Sequence, residues 1–140
     1  MSKLNNKGIT IIEAIVTITV LLMGILVLVR LFPIALQIGR SAEQATIATN
    51  LAQAKIEEVF STDYYNISVG TIETRQRMSS DISNPFYWYE REAIVEYVDG
   101  NLNTSVVDLG IKKIIVNTYW KSALLSLDKN VQLTLLISEK

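Results

Sequence analysis

The sequence predicts an α+β chain in which one long N-terminal helix, membrane-spanning in its first half and amphipathic in its second, packs on a small antiparallel sheet. Three observations predict it. Residues 9–31 read ITIIEAIVTITVLLMGILVLVRL, an apolar run carrying charge only at Glu13 and Arg30. Beyond Pro33 apolar residues recur at threes and fours as far as Phe60, the period of a helix with one buried face. After Asn84-Pro85 the pattern changes to period two and becomes rich in aromatic and β-branched residues, which marks strands.

Composition narrows the function before any motif is read. The 140 residues include 13 Lys plus Arg, 14 Asp plus Glu, no His and no Cys, about one domain's worth of chain. Without Cys there is no disulfide framework, thiol nucleophile or thiolate metal site, and without His the commonest general base and metal ligand is missing. A net charge of -1 gives no strong nucleic-acid signal. The mean hydropathy of +0.28 is high for a soluble domain, and the excess is concentrated at the front. As a helix, residues 9–31 reach roughly 35 Å, enough to cross a hydrocarbon core of about 30 Å. The hydroxyls of Thr10, Thr17 and Thr19 can bond back to the preceding turn, which suits them to lipid.

The flanks set an orientation. Residues 1–8, MSKLNNKG, carry Lys3 and Lys7 and no acid, whereas both signs follow the span; the positive-inside rule places the N-terminus in the cytoplasm and the C-terminal part outside. A secretory signal peptide has a similar basic start, but its apolar region is shorter and ends at a small-residue site. Here the run ends in Arg30-Leu31-Phe32-Pro33.

Glu13 is the residue out of place. A carboxylate at the bilayer centre costs about 2.5–3.5 kcal/mol on insertion scales and less near an interface. Two readings fit it: a side chain at headgroup depth that pairs with Lys7 or an N-terminal amine, or one that awaits a positive partner on another subunit. Lys7-Gly8-Ile9-Thr10-Ile11-Ile12-Glu13 resembles the cleavage and methylation motif of type IV prepilins and pseudopilins. The likeness lies in a short basic leader ending in Gly, a long apolar helix starting at the cut, and Glu at the fifth mature position. It implies that a prepilin peptidase cuts between Gly8 and Ile9 on the cytoplasmic side and that the Ile9 amine is N-methylated. Ile9 departs from the Phe most often found there, which bears on methylation more than on processing.

The motif has a physical rationale. An ammonium at Ile9 would be costly to bury alone among packed helices, and Glu13 of a neighbouring, staggered helix can neutralise it. Gly24 and Pro33 mark a helix joint: Pro removes one backbone hydrogen bond and crowds the previous turn, so a kink or a short melted stretch is expected near residues 29–33. A plain bend at the membrane surface fits equally well.

Beyond the joint, Ala35, Ile38, Ala42, Ala45, Ala48, Leu51, Ala52, Ile56, Val59 and Phe60 form the seam expected to pack. Residues 48–58, ATNLAQAKIEE, resemble a stretch found in minor pilins and pseudopilins at the same distance from the cut. A helix running from residue 9 to 60 is far longer than an ordinary globular one. Ser61-Thr62-Asp63 end it, and residues 64–83 are expected to form a loop region with one short strand at 67–74. Further strands are expected at 86–98, 104–109, 111–120 and 131–137, with Asp99-Gly100 as a turn and the last two paired antiparallel. Residues 108–113 leading to Val116 and Trp120 resemble the sheet-entering segment of minor pilins related to a type II secretion pseudopilin.

Other residues admit sharper readings that the sequence does not favour. Phe86, Tyr87, Trp88 and Tyr89 could stack on a sugar or base, but aromatics in a strand beside a helix usually pack core and rim. Lys112 and Lys113 fall on opposite faces of a strand and make no DNA-binding stripe. Asp99, Asn101, Asn103 and Asp108 carry oxygen ligands without EF-hand spacing and suit a hairpin loop. No metal or cofactor is assigned.

The expected layout is a leader at 1–8, a transmembrane helix at 9–32, its amphipathic continuation at 33–61 and a β-rich head at 62–140. The expected function, implied by the resemblance, is that of a structural subunit, a minor pilin or pseudopilin serving pilus biogenesis, type II secretion or DNA uptake. Its implied partners are the prepilin peptidase, other pilin or pseudopilin subunits, the inner-membrane assembly platform and membrane lipid. Its place is the bacterial cytoplasmic membrane and then a filament. A single-pass anchored binding module that never polymerises is the alternative. No enzyme is expected, since G-x-S-x-G, S-x-x-K, Walker and zinc motifs are all missing.

Overall fold

Leu, Ala, Gln and Glu dominate residues 11–60, and these are strong helix formers. In the computed structural model, which describes residues 10–121 and 127–139, they build one helix, α1, at Ile11–Phe60. The expected leader and the Gly8-Ile9 junction lie outside the described residues. The threonines are accommodated by back-bonding: Thr17 Oγ1 donates to the Glu13 carbonyl at 2.7 Å and Thr19 Oγ1 to that of Ile15 at 2.8 Å. Gly24, Pro33 and Gly39 all lie inside α1, and residues 29–33 stay helical, so the melted stretch is absent from the single chain.

The chain divides into two compact units, Met1–Gly39 and Arg40–Lys140. In the first, every described residue is exposed, including Ile12 at 75%, Leu28 at 68% and Phe32 at 66%. In the second, α1 packs on a five-stranded antiparallel sheet. The strands are β1 Gly70–Arg77, β2 Tyr89–Val98, β3 Thr104–Ser105, β4 Ile111–Lys121 and β5 Asp128–Ser138. Their order is β1-β2-β4-β5, with β3 added to β2. Alternation sets the register: Ala93 faces Val116 and Val95 faces Ile114 across β2 and β4, while Ile114 faces Leu135 and Val116 faces Leu133 across β4 and β5. Together with Ala52, Val59 and Ile67 these residues form the main core, and Ala48, Tyr89 and Trp120 form a second cluster towards the start of β2.

The packed stripe on α1 differs from the expected seam. Ala48, Ala52 and Val59 are buried, with Ala45, Leu51, Lys55 and Ile56 half-buried. Ala42 and Phe60, also expected on that seam, are exposed, as are Ala35 and Ile38 of the first unit. Alanines at 48 and 52 allow backbone-close approach to the sheet, and one further turn in either direction runs past it.

The strand bounds differ for local reasons. β1 begins at Gly70 rather than Ile67 and runs to Arg77; Ile67 is 6% exposed beneath the helix end. Gly70 has φ +109, a conformation that suits glycine. β2 begins at Tyr89 rather than Phe86, because Asn84 Oδ1 accepts from the Phe86 N–H at 2.8 Å and Pro85 fits the first position of a 3₁₀ turn, Pro85–Trp88. Of the four consecutive aromatics only Tyr89 joins the core; Phe86 and Trp88 are exposed. β3 has two residues because Ser105 Oγ takes the Val107 N–H at 3.1 Å and turns the chain away. β4 and β5 pair antiparallel over their full described length.

Candidate functional site

Gly8 and Ile9, the expected processing and methylation positions, and Lys7 lie outside the described residues. Glu13 occupies the first turn of α1, with its backbone N–H donating to Thr10 Oγ1 at 3.3 Å and the Ala14 N–H to the Thr10 carbonyl. Thr10-x-x-Glu13 is thus the pattern of a capping box, legible in the sequence but not among the expectations. A carboxylate there also complements the positive end of the helix dipole. Glu13 is exposed, and among the described residues no cation reaches it.

The helix around it is apolar on every side. An 18-residue window of α1 has a mean hydropathy of 2.7 with none of it buried, so this helix is long and apolar enough to cross a membrane. Gly24 and Pro33, the expected joint, share this exposed stretch with Glu13.

No family model, curated protein or solved structure matches this chain.

Two polar clamps in the second unit were not anticipated. Glu73 of β1 is 9% exposed. Arg91 of β2 donates to it through Nε at 3.0 Å and Nη2 at 3.1 Å, and Lys55 of α1 lies 3.3 Å away. Arg91 Nη1 also donates to the Leu51 carbonyl of α1 at 2.9 Å. One guanidinium therefore ties two strands to the helix, a use that its planar fork permits. In the sequence Glu73 and Arg91 read as ordinary surface charges of alternating strands; only the pairing of β1 with β2 brings them together.

The second clamp sits at the other end of the packed helix. Lys112 is 3% exposed, and its Nζ donates to the carbonyls of Tyr64 at 2.6 Å and Ile67 at 2.9 Å, 4.2 Å from the Tyr64 ring centre. Lys113 faces the opposite side and pairs with Glu96 at 3.0 Å, as the strand alternation requires. The Tyr64 hydroxyl donates to Asp108 Oδ1 at 2.5 Å. Burial and this bond push the Tyr64 phenol well above its ordinary range, and the same bond holds the Asp108 carboxyl below its own. A depressed carboxyl stabilises the fold above its unfolded value and loses that contribution as pH falls through the folded value. Acidification below the ordinary carboxylate range is therefore expected to loosen the segment from Asp99 to Gly110 first, because Asp99 is held low as well, by the Asn103 N–H. Hydrogen exchange across a pH series checks this. Uniform protection of that segment down to global unfolding would refute it.

Asp99 uses its carboxylate to cap the Asn101 and Asn103 N–H groups, each at 2.8 Å, which is hairpin-loop chemistry. Among the described residues no group of three His, Cys, Asp or Glu could hold a metal ion. Near the start of β2, Arg75, Arg77, Tyr87, Trp88, Tyr119 and Lys121 line a shallow groove. There Arg75 pairs with Glu90 at 2.6 Å and lies 4.1 Å from the Tyr119 ring centre, while Arg77 lies 4.5 Å from that of Tyr87.

Proposed function

We propose that this chain is a minor pilin or pseudopilin, a structural subunit of a type IV pilus-like filament with no catalytic role. It is anchored in the cytoplasmic membrane by its first helix, with the N-terminus cytoplasmic, and processed by a prepilin peptidase between Gly8 and Ile9. The observation that carries the proposal is the lone carboxylate of Glu13, one turn into a helix whose surface is otherwise apolar on every side. Such a surface requires lipid or other apolar helices around it. Its one acid is matched by the ammonium that cleavage after Gly8 would create at Ile9. The same helix then serves twice, first as membrane anchor and then as the core of an assembly with other pilin or pseudopilin subunits on an inner-membrane platform. An α+β head with α1 seated on an antiparallel sheet is consistent with that role.

The test is N-terminal mass analysis of the chain isolated from native membranes. A chain starting at Ile9 is expected, heavier by one methyl group where methylation occurs. An intact Met1 leader in cells with an active prepilin peptidase would overturn the proposal.

A further inference from the structure

The ends of the Arg40–Lys140 unit differ in chemistry. Residues 41–60 run from the Lys129 end of the sheet, where Lys129 Nζ donates to Ser41 Oγ at 3.0 Å, to the Lys112 end, where Lys112 holds the Tyr64 carbonyl. At the helix-end pole, Val106 is 96% exposed, and Tyr65, Phe60, Val107, Leu109 and Leu102 are exposed with it. The Tyr64–Asp108 bond, the contact of the Tyr65 hydroxyl with Glu139 and the bond from the Glu139 N–H to the Gly110 carbonyl draw these segments together. Around them stand Glu57, Asp63, Asp99, Asp108 and Glu139, none within ion-pair distance of a cation among the described residues. The last turn of α1 holds no basic residue, although cations there would stabilise the helix and acids do the opposite. Local stability does not explain that arrangement.

The helix-start pole is the complement. Arg40, Arg77, Lys121 and Lys129 have no carboxylate partner among the described residues, whereas Glu90 and Asp128 are both turned towards Arg75. Glu43 and Asp81 are the remaining acids there. Ile82, Trp88 and Leu127 are exposed beside the cations. Each pole thus offers apolar side chains in a charged rim, of opposite sign at the two ends. Contiguous exposed apolar surface rimmed by polar groups marks protein contacts, and opposite rims fix orientation and reject like poles.

We propose that the helix-end pole docks on the helix-start pole of a second copy of this chain. The contact is heterologous, so copies stack head to tail with their helices parallel, and such contacts propagate along a fibre rather than closing as a dimer. This inference rests on the filament reading, because heads stack only when copies are offset along an axis.

The Cys-free sequence makes the test direct. Two full-length copies, one carrying Val106→Cys and the other Ile82→Cys, are co-expressed in cells and treated with a short bis-maleimide. Sheared filaments are assayed separately for the chain. The expected result is a Val106–Ile82 cross-link with little Val106–Val106 product. Lys121→Glu should reduce the cross-link by more than about tenfold, with recovery when Asp63→Lys is placed on the other copy. Filaments containing the chain without the mixed cross-link would overturn the docking and leave the filament reading standing. Equal cross-linking of like poles would also overturn the docking. A chain found neither in filaments nor cross-linked would overturn both.

Discussion

Glu13→Ala is expected to leave the chain inserted in the membrane and trimmed to Ile9 while removing it from filaments. Insertion should improve, since deleting a carboxylate from an apolar span relieves up to about 2.5–3.5 kcal/mol. Helix formation should change little: a favourable first-turn charge is worth about 0.3–1 kcal/mol, and the Thr10 hydroxyl still caps the same N–H. Assembly is where the loss falls. Burying the Ile9 ammonium among packed helices without its carboxylate costs about 3–5 kcal/mol, a factor of more than a hundred in association. Glu13→Gln separates charge from shape; it keeps the amide's size and polarity and should fail nearly as badly as Ala. The readouts are the membrane fraction, the N-terminal mass and recovery in sheared filaments. Normal recovery of Glu13→Ala with a mature N-terminus would end the pairing hypothesis.

Much of the fold was legible because its signals are local. Residues 9–60 announce a helix by composition and period, and residues 111–120 and 131–137 announce strands by alternation; both pair as expected. The misplaced boundaries have one kind of cause, a side chain capturing a backbone group. Asn84 with Pro85 turns Phe86, Tyr87 and Trp88 out of β2, and Ser105 stops β3 after two residues. The candidate residues divide in the same way. Glu13 stands out because a lone acid in an apolar run is a local anomaly. Glu73, Arg91 and Lys112 do not, because each is an unremarkable charge until the sheet brings together residues separated by 18 positions in one case and 48 in another. Patterns of period two and 3.6 specify faces; they leave open which charge meets which.

That gap makes Arg91 the subject of the second large effect. Arg91→Ala is expected to destabilise the head by about 3–5 kcal/mol, the range for removing one partner of a buried ion pair. It strips Glu73 of two charge-assisted hydrogen bonds and leaves it with Lys55 at 3.3 Å. It also frees the Leu51 carbonyl of its strand partner, although that oxygen keeps its place in the helix ladder. Lys55→Ala should cost less, about 1 kcal/mol, because the two-pronged Arg91 contact survives and only Glu58 loses a second bond. Glu73→Leu combined with Arg91→Met should recover most of the loss, since replacing both ends by apolar groups removes the stranded charge. Denaturant titration of the full chain in detergent micelles measures all four. A Trp88→Phe background leaves Trp120, buried against Ala48 and Tyr89, as the fluorescent reporter. If Arg91→Ala stayed within about 1 kcal/mol of the parent, or the double replacement were as damaging as the two singles summed, the clamp would not be what holds α1 on the sheet. The consequence reaches assembly, because a helix drawn into a filament carries its head along only while residues 51–55 stay fastened to β1 and β2. A population of Arg91→Ala chains should therefore enter filaments through intact Glu13 and yet shed proteolysed heads, a phenotype that Glu13→Ala cannot produce.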